Sequence, residues 1–175
     1  MVWWMEVTPA LVGVAVLAAT YRRFRLTPLV YALVLLFALI LLIGGHYTYS
    51  RVPLGNWLRD AFSLTRNHFD RIGHFMQGVT PGMIARELLL RTSPLRRSRW
   101  LFFLVVCVAL ALSAVYELVE WIAAALSETA AQDFVGMQGD EWDAQKDMGL
   151  ALLGAVLAQL ALGRLHDRQL AKMAA

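Results

Sequence analysis

Cysteine is almost missing from this sequence: Cys107 stands alone among 175 residues, so no intrachain disulfide staples the fold. Its position inside an apolar run predicts a small buried side chain. Charge is scarce as well. Asp, Glu, Lys and Arg make up 17% of the chain against 59% hydrophobic residues, with a mean hydropathy of +0.55, which is too apolar for a soluble domain with one core. The opening Met1-Val-Trp-Trp-Met-Glu6 lacks the basic start of a cleavable signal peptide, so the first apolar run is expected to be retained. The pI of about 9.4 comes from arginines in short connections between apolar runs. Orientation in a membrane accounts for them there, and no nucleic-acid partner is expected.

Apolar runs of bilayer length are what the chain has in abundance. A hydrocarbon core of about 30 Å takes about 20 helical residues to cross. Residues 3–21, 26–45, 68–90, 100–126 and 147–163 are the predicted spans. They make the fold class all-α, a polytopic membrane helical bundle with about five transmembrane helices, and residues 1–175 a single integral-membrane domain. Trp3 and Trp4 read as interfacial anchors with Glu6 close to one surface. Pro53, Gly55 and Asn56 mark a connection with a short interfacial helix around Trp57 to Phe62. The segment 68–90 carries Asp70, Arg71, His74, Gln77, Pro81, Arg86 and Glu87, so it is expected to be an interior helix instead of a lipid-facing one. Residues 164–175 read as a polar, basic tail with a short exposed helix, and its His166 as an ordinary residue.

The connections set an orientation. Residues 22–25 hold three arginines, residues 86–99 hold five arginines against one glutamate, and residues 127–147 hold six acids against Lys146. Counting Lys and Arg alone places the first two of these and the carboxyl terminus in the cytoplasm. Arg51, Arg59, Arg66 and Arg71 run against that bias. The localisation this implies is the bacterial inner, or cytoplasmic, membrane, crossed several times.

Glu117 and Glu120 lie in Ser113-Ala-Val-Tyr-Glu-Leu-Val-Glu-Trp121, after an uncharged run from Trp100 to Tyr116. Their spacing puts both on one helix face, where they need a partner, water or a proton. With the topology above, His46, His68, Asp70, His74, Asp140, Asp143 and Asp147 all fall in the same outer half. Asp70, His74 and Gln77 form one helical stripe, and Asp140, Asp143 and Asp147 another. Gly136 and Gly139 ahead of Asp140 permit a tight turn, with Asp140 capping the following helix. Carboxylates and imidazoles on facing helices suit a divalent metal such as zinc. The candidate ligands are His68, His74, Glu117, Glu120, Asp143 and Asp147; Glu117, Glu120 and His74 are the candidate catalytic groups; Arg66 or Arg71 would hold a phosphate oxygen. No metalloprotease or zinc-finger spacing occurs among them, and no serine-hydrolase elbow surrounds Ser113. A competing reading makes the same residues a structural polar network, in which the outer arginines neutralise the acidic loop.

Five stretches in order, Gly45-His-Tyr-Thr-Tyr49, Arg66-Asn-His-Phe-Asp-Arg-Ile-Gly-His74, Arg86-Glu87, Ser113 to Trp121 and Gln138-Gly-Asp-Glu-Trp-Asp-Ala-Gln-Lys-Asp147, carry a resemblance to the YjdF-like family, an uncharacterised bacterial inner-membrane family of unknown function. The resemblance extends over nearly the whole chain. Members of that family have a further hydrophobic span ahead of the position where this sequence starts, which implies a short member or a late start. No reaction and no residue roles come with it.

Three functions compete. The first is a metal-dependent hydrolase acting on a lipid or lipid-linked substrate at the outer face, which makes membrane lipid the expected partner. The second is a small ion- or proton-coupled transporter, which intramembrane acids favour and the lack of an internal repeat disfavours. The third is a non-catalytic membrane scaffold.

Overall fold

The computed structural model describes residues 2–126 and 140–174; the predicted turn at Gly136 and Gly139 and most of the acidic connection lie outside them. Every regular element among the described residues is helical. They are α1 (Val2–Thr20), α2 (Pro28–Tyr47), a 3-10 turn at Tyr49–Arg51, α3 (Pro53–Ala61), α4 (Phe69–Thr92), α5 (Arg99–Leu126) and α6 (Asp143–Ala174). Helix α2 begins where Thr27 caps Val30 N and Pro28 occupies the first turn, where its missing N–H costs nothing. Among the described residues, three helices are long and apolar enough to cross a bilayer: α2, α5, and α6 as far as Met173. The other two predicted spans are also helices. In α1 the apolar part is the shorter Glu6–Thr20, and α4 carries polar and charged groups along its length.

Helix α4 is the interior one, packed against α2, α5 and α6. Its buried set, from Gly73 through Glu87, covers more than one face, which is why polar residues are tolerated there: they meet other helices. Against it α6 lays a stripe with Asp147, Ala151, Ala155, Ala158 and His166 at helical spacing. Small residues let the backbones approach closely. A β-carbon on Gly78 would overlap the carbonyl oxygen of Ala151. Gly78→Ala is therefore expected to destabilise the bundle by about 1–3 kcal/mol through overpacking, read as a lower unfolding midpoint in detergent, and an unchanged midpoint would show that the helices can part at no cost.

Two expectations are corrected. Residues 164–175 are not a separate exposed tail: α6 runs straight on to Ala174 because no breaker follows Gly163, and its buried stripe carries His166 fully inside. Cys107 is exposed. The inward face of α5 is set by Leu101, Val105, Ala109 and Ser113, recurring every four residues, and Cys107 falls off that stripe.

Candidate functional site

At one end of α4, the loop that leads into it is held by Asn67, whose Nδ2 donates to the carbonyl of Val52 and to Asn56 Oδ1, both at 3.0 Å, while its Oδ1 accepts from Phe69 N. That clamp fixes where Arg66 and the first turns of α4 face. Arg66 pairs with Asp143, and Arg71 Nη2 lies 2.7 Å from Asp140 Oδ2. Lys146 Nζ donates to both oxygens of Asp140 at 2.7 Å, and Trp142 N donates to Asp140 Oδ1, so Asp140 caps the turn ahead of α6. The Lys146 hydrogen bonds hold the Asp140 carboxyl below the usual carboxylate range, with Trp142 N and Arg71 adding to the effect. Arginine, lysine and acid neutralise each other in this layer.

Beneath it the balance changes. His74, 4% exposed, has Nε2 3.6 Å from Asp70 Oδ1, and its Nδ1 lies 3.1 Å from Gln77 Oε1 and 3.5 Å from Glu117 Oε1. Acceptors flank both ring nitrogens, Gln77 and Glu117 at Nδ1 and Asp70 at Nε2. Nε2 faces the Asp70 carboxylate. One potential ligand atom each from Asp70, His74 and Asp147 falls within 4.8 Å of the others, and the same holds for His74, Glu117 and Glu120. Asp147 is 1% exposed, and its Oδ1 accepts no hydrogen bond; nor does Glu117 Oε1. Buried carboxylate oxygens without a hydrogen bond, gathered around an imidazole, are costly unless a cation or proton lies among them.

The structure thus brings together Asp70, His74, Gln77, Glu117, Glu120 and Asp147 from three helices. It leaves Asp140, Asp143, Arg66 and Arg71 in the ion-paired layer above. His68 precedes α4 with no side-chain cap, outside both groups of potential ligands, and His46 is exposed, its ring edge-on to Tyr47.

A cavity of about 410 Å³ opens beside this cluster, between α1, α2, α4 and α5. One part is apolar, with Phe37, Leu41, Ile84, Leu112 and Val119; the other has Glu6, Tyr49, Asp70, His74, Gln77 and Glu120. Tyr49 reaches in because Thr48 turns the chain at φ 63°, unfavourable for a β-branched residue, and because Gly44 has no β-carbon to overlap the tyrosine ring. Glu6 is buried against the cavity. The signal was present in the sequence, since a lone acid in an apolar helix calls for the same compensation as Glu117 and Glu120.

A second polar cluster at the far end of α4 escaped the sequence reading altogether. Glu87 accepts from Thr27 N, Thr27 Oγ1, Arg91 and His166 Nε2, and His166 Nδ1 lies 2.8 Å from Arg86 Nη1. Arginine can only donate, so Nδ1 accepts and Nε2–H donates to Glu87. Every partner here is satisfied, which makes it a structural latch tying the start of α2 to α4 and α6.

Residues 1–168 match the family described as "Predicted membrane protein (DUF2238)". The chain is 51% identical over 168 residues to the inner membrane protein YjdF of Escherichia coli (strain K12), an alignment that covers 96% of this chain and 80% of that protein. No solved structure matches it. The chain belongs to the DUF2238 family of membrane proteins.

Proposed function

We propose that this DUF2238 member is a metal-dependent hydrolase embedded in the inner membrane, acting on a lipid or lipid-linked substrate at the outer face. The observation that carries the reading is the grouping of His74 Nε2 with carboxylate oxygens of Asp70 and Asp147, in a cluster where Asp147 is buried and incompletely paired. A small divalent ion such as zinc answers that arrangement. Zinc takes nitrogen and oxygen ligands at about 2.0–2.2 Å, which sets neighbouring ligand atoms roughly 3.4 Å apart. The candidate ligand atoms already lie within 4.8 Å of one another.

Asp70, His74 and Asp147 are the ligands in this reading, and Gln77 fixes the ring by accepting from Nδ1. Bound there, the metal would acidify a water and polarise an ester or phosphoryl oxygen. Glu120 lines the cavity and is not one of the proposed ligands, so it takes the proton as general base, with Glu117 beside His74 supporting the charge. The apolar part of the cavity suits an acyl or prenyl chain, with the scissile group at the polar end. Arg66 and Arg71, both ion-paired, act on the rim and not on the reacting group.

A second reading has one observation in its favour: a proton on Nε2 would relieve the same repulsion, and a proton-coupled carrier needs such a group. Turnover separates the two. Purified protein in mixed micelles with labelled phospholipids and lipid-linked phosphates is expected to release product, to stop on chelation and to resume with zinc. No release from any lipid class, together with proton-coupled flux in proteoliposomes, would replace the hydrolase with the carrier.

A further inference from the structure

The arginine-rich end of the bundle holds a second cavity, and from it we propose a binding site for a negatively charged phospholipid, independent of the hydrolase reading. An open pocket of about 720 Å³ lies between the turn joining α4 to α5 and the last turns of α6. Leu95, Leu170 and Met173 contribute apolar lining, and Arg91, Arg96 and Arg97 contribute charge. Arg91 stands seventeen residues beyond His74 on α4, about 25 Å along the helix axis. The two cavities therefore occupy opposite ends of the bundle.

The three arginines are not equivalent. Arg91 is held in place: its Nη1 donates to the carbonyl of Arg25 at 2.6 Å and to Glu87 at 2.8 Å, and its guanidinium lies over the ring of Phe24. Arg97 meets Asp167 through Nε at 3.0 Å and stays 56% exposed, which leaves its Nη groups for a second anion. Arg96 is exposed and has no ion-pair partner among the described residues. Nearby acids are already used, since Asp167 also serves Arg86 at 2.9 Å and Glu87 serves Arg91 and His166. The pocket is left with uncompensated positive charge.

Charge alone would suit any small anion. The apolar lining makes the difference, because Leu95, Leu170 and Met173 offer a surface that a free phosphate cannot use and an acyl chain can. Basic pockets between helices at the arginine-rich face of a membrane protein select anionic headgroups for this combination of reasons. Arg96 and the Nη groups of Arg97 take the phosphate, and the chain lies along the apolar side.

The test uses the full chain in neutral detergent, with short-chain phosphatidylglycerol, short-chain phosphatidylcholine and inorganic phosphate added in turn while the unfolding midpoint is followed. Phosphatidylglycerol is expected to raise the midpoint saturably and phosphatidylcholine is not. Arg96→Gln, which removes no described contact, is expected to weaken that response about tenfold in apparent affinity; Arg96→Gln with Arg97→Gln is expected to abolish it. Equal responses to the two lipids, an unaltered response in Arg96→Gln, or a phosphate response matching phosphatidylglycerol would each overturn the proposal, the last by reducing it to a simple anion site.

Discussion

Glu87→Ala is expected to destabilise the fold by about 3–5 kcal/mol, the magnitude found when one partner of a buried ionic group is deleted. Glu87 is fully buried and is the common acceptor for Thr27, Arg91 and His166. Removing it leaves the N–H of His166 and the backbone N–H of Thr27 without their acceptor at once, and it leaves Arg91 with the Arg25 carbonyl but no carboxylate. It also takes a negative charge from the amino-terminal end of α2, where the helix dipole favours one. Glu87→Gln keeps the shape and one acceptor oxygen but turns an N–H₂ toward donors, so its loss should be smaller than that of the alanine variant. Unfolding midpoints and the monodisperse fraction after extraction measure both. Wild-type values for Glu87→Ala would mean that the cluster is not a latch.

His74→Ala is expected to remove bound metal and hydrolytic turnover together. Changes to the groups that merely orient a ligand already weaken metal binding about 10- to 100-fold, so losing the one nitrogen ligand should exceed that range. Asp147→Asn should act in the same direction, because it takes a charged oxygen from the same group. Asp143→Asn is the informative contrast: Asp143 is paired with Arg66 in the layer above, so its variant should keep metal while loosening the mouth. Metal content after dialysis and replenishment distinguishes the three. Equal metal loss in all of them would point to general unfolding, and retention in His74→Ala would remove the nitrogen ligand from the account.

The sequence makes part of this legible through the cost of polar groups in an apolar chain. Glu117 and Glu120, one turn apart with no charge for a full span before them, must face protein, and they come to His74 as that reasoning requires. The polar stripe of Asp70, His74 and Gln77 likewise marks α4 as interior before any coordinates. What stays hidden depends on register between distant helices. Glu87 and His166 are seventy-nine residues apart, and their meeting follows from α6 continuing past Gly163 in line with α4, for which no local pattern gives a signal. Arg86 and Glu87 look like charges at a membrane boundary, and His166 looks like part of a tail, until the two helices are laid side by side. The division of the acids into an arginine-paired layer and a cluster around His74 is hidden for a related reason: Asp143 and Asp147 share one helical face, and only the position of Arg66 on the opposing loop separates their roles.

Anomalous scattering from crystals of the zinc-loaded protein in lipid, collected on both sides of the zinc absorption edge, tests the central claim most directly. The account predicts one peak bonded to His74 Nε2 and to carboxylate oxygens of Asp70 and Asp147, at about 2.0–2.2 Å, with Gln77 still accepting from Nδ1. A cluster with no anomalous peak, in which Nε2 instead donates a proton to Asp70, would contradict it.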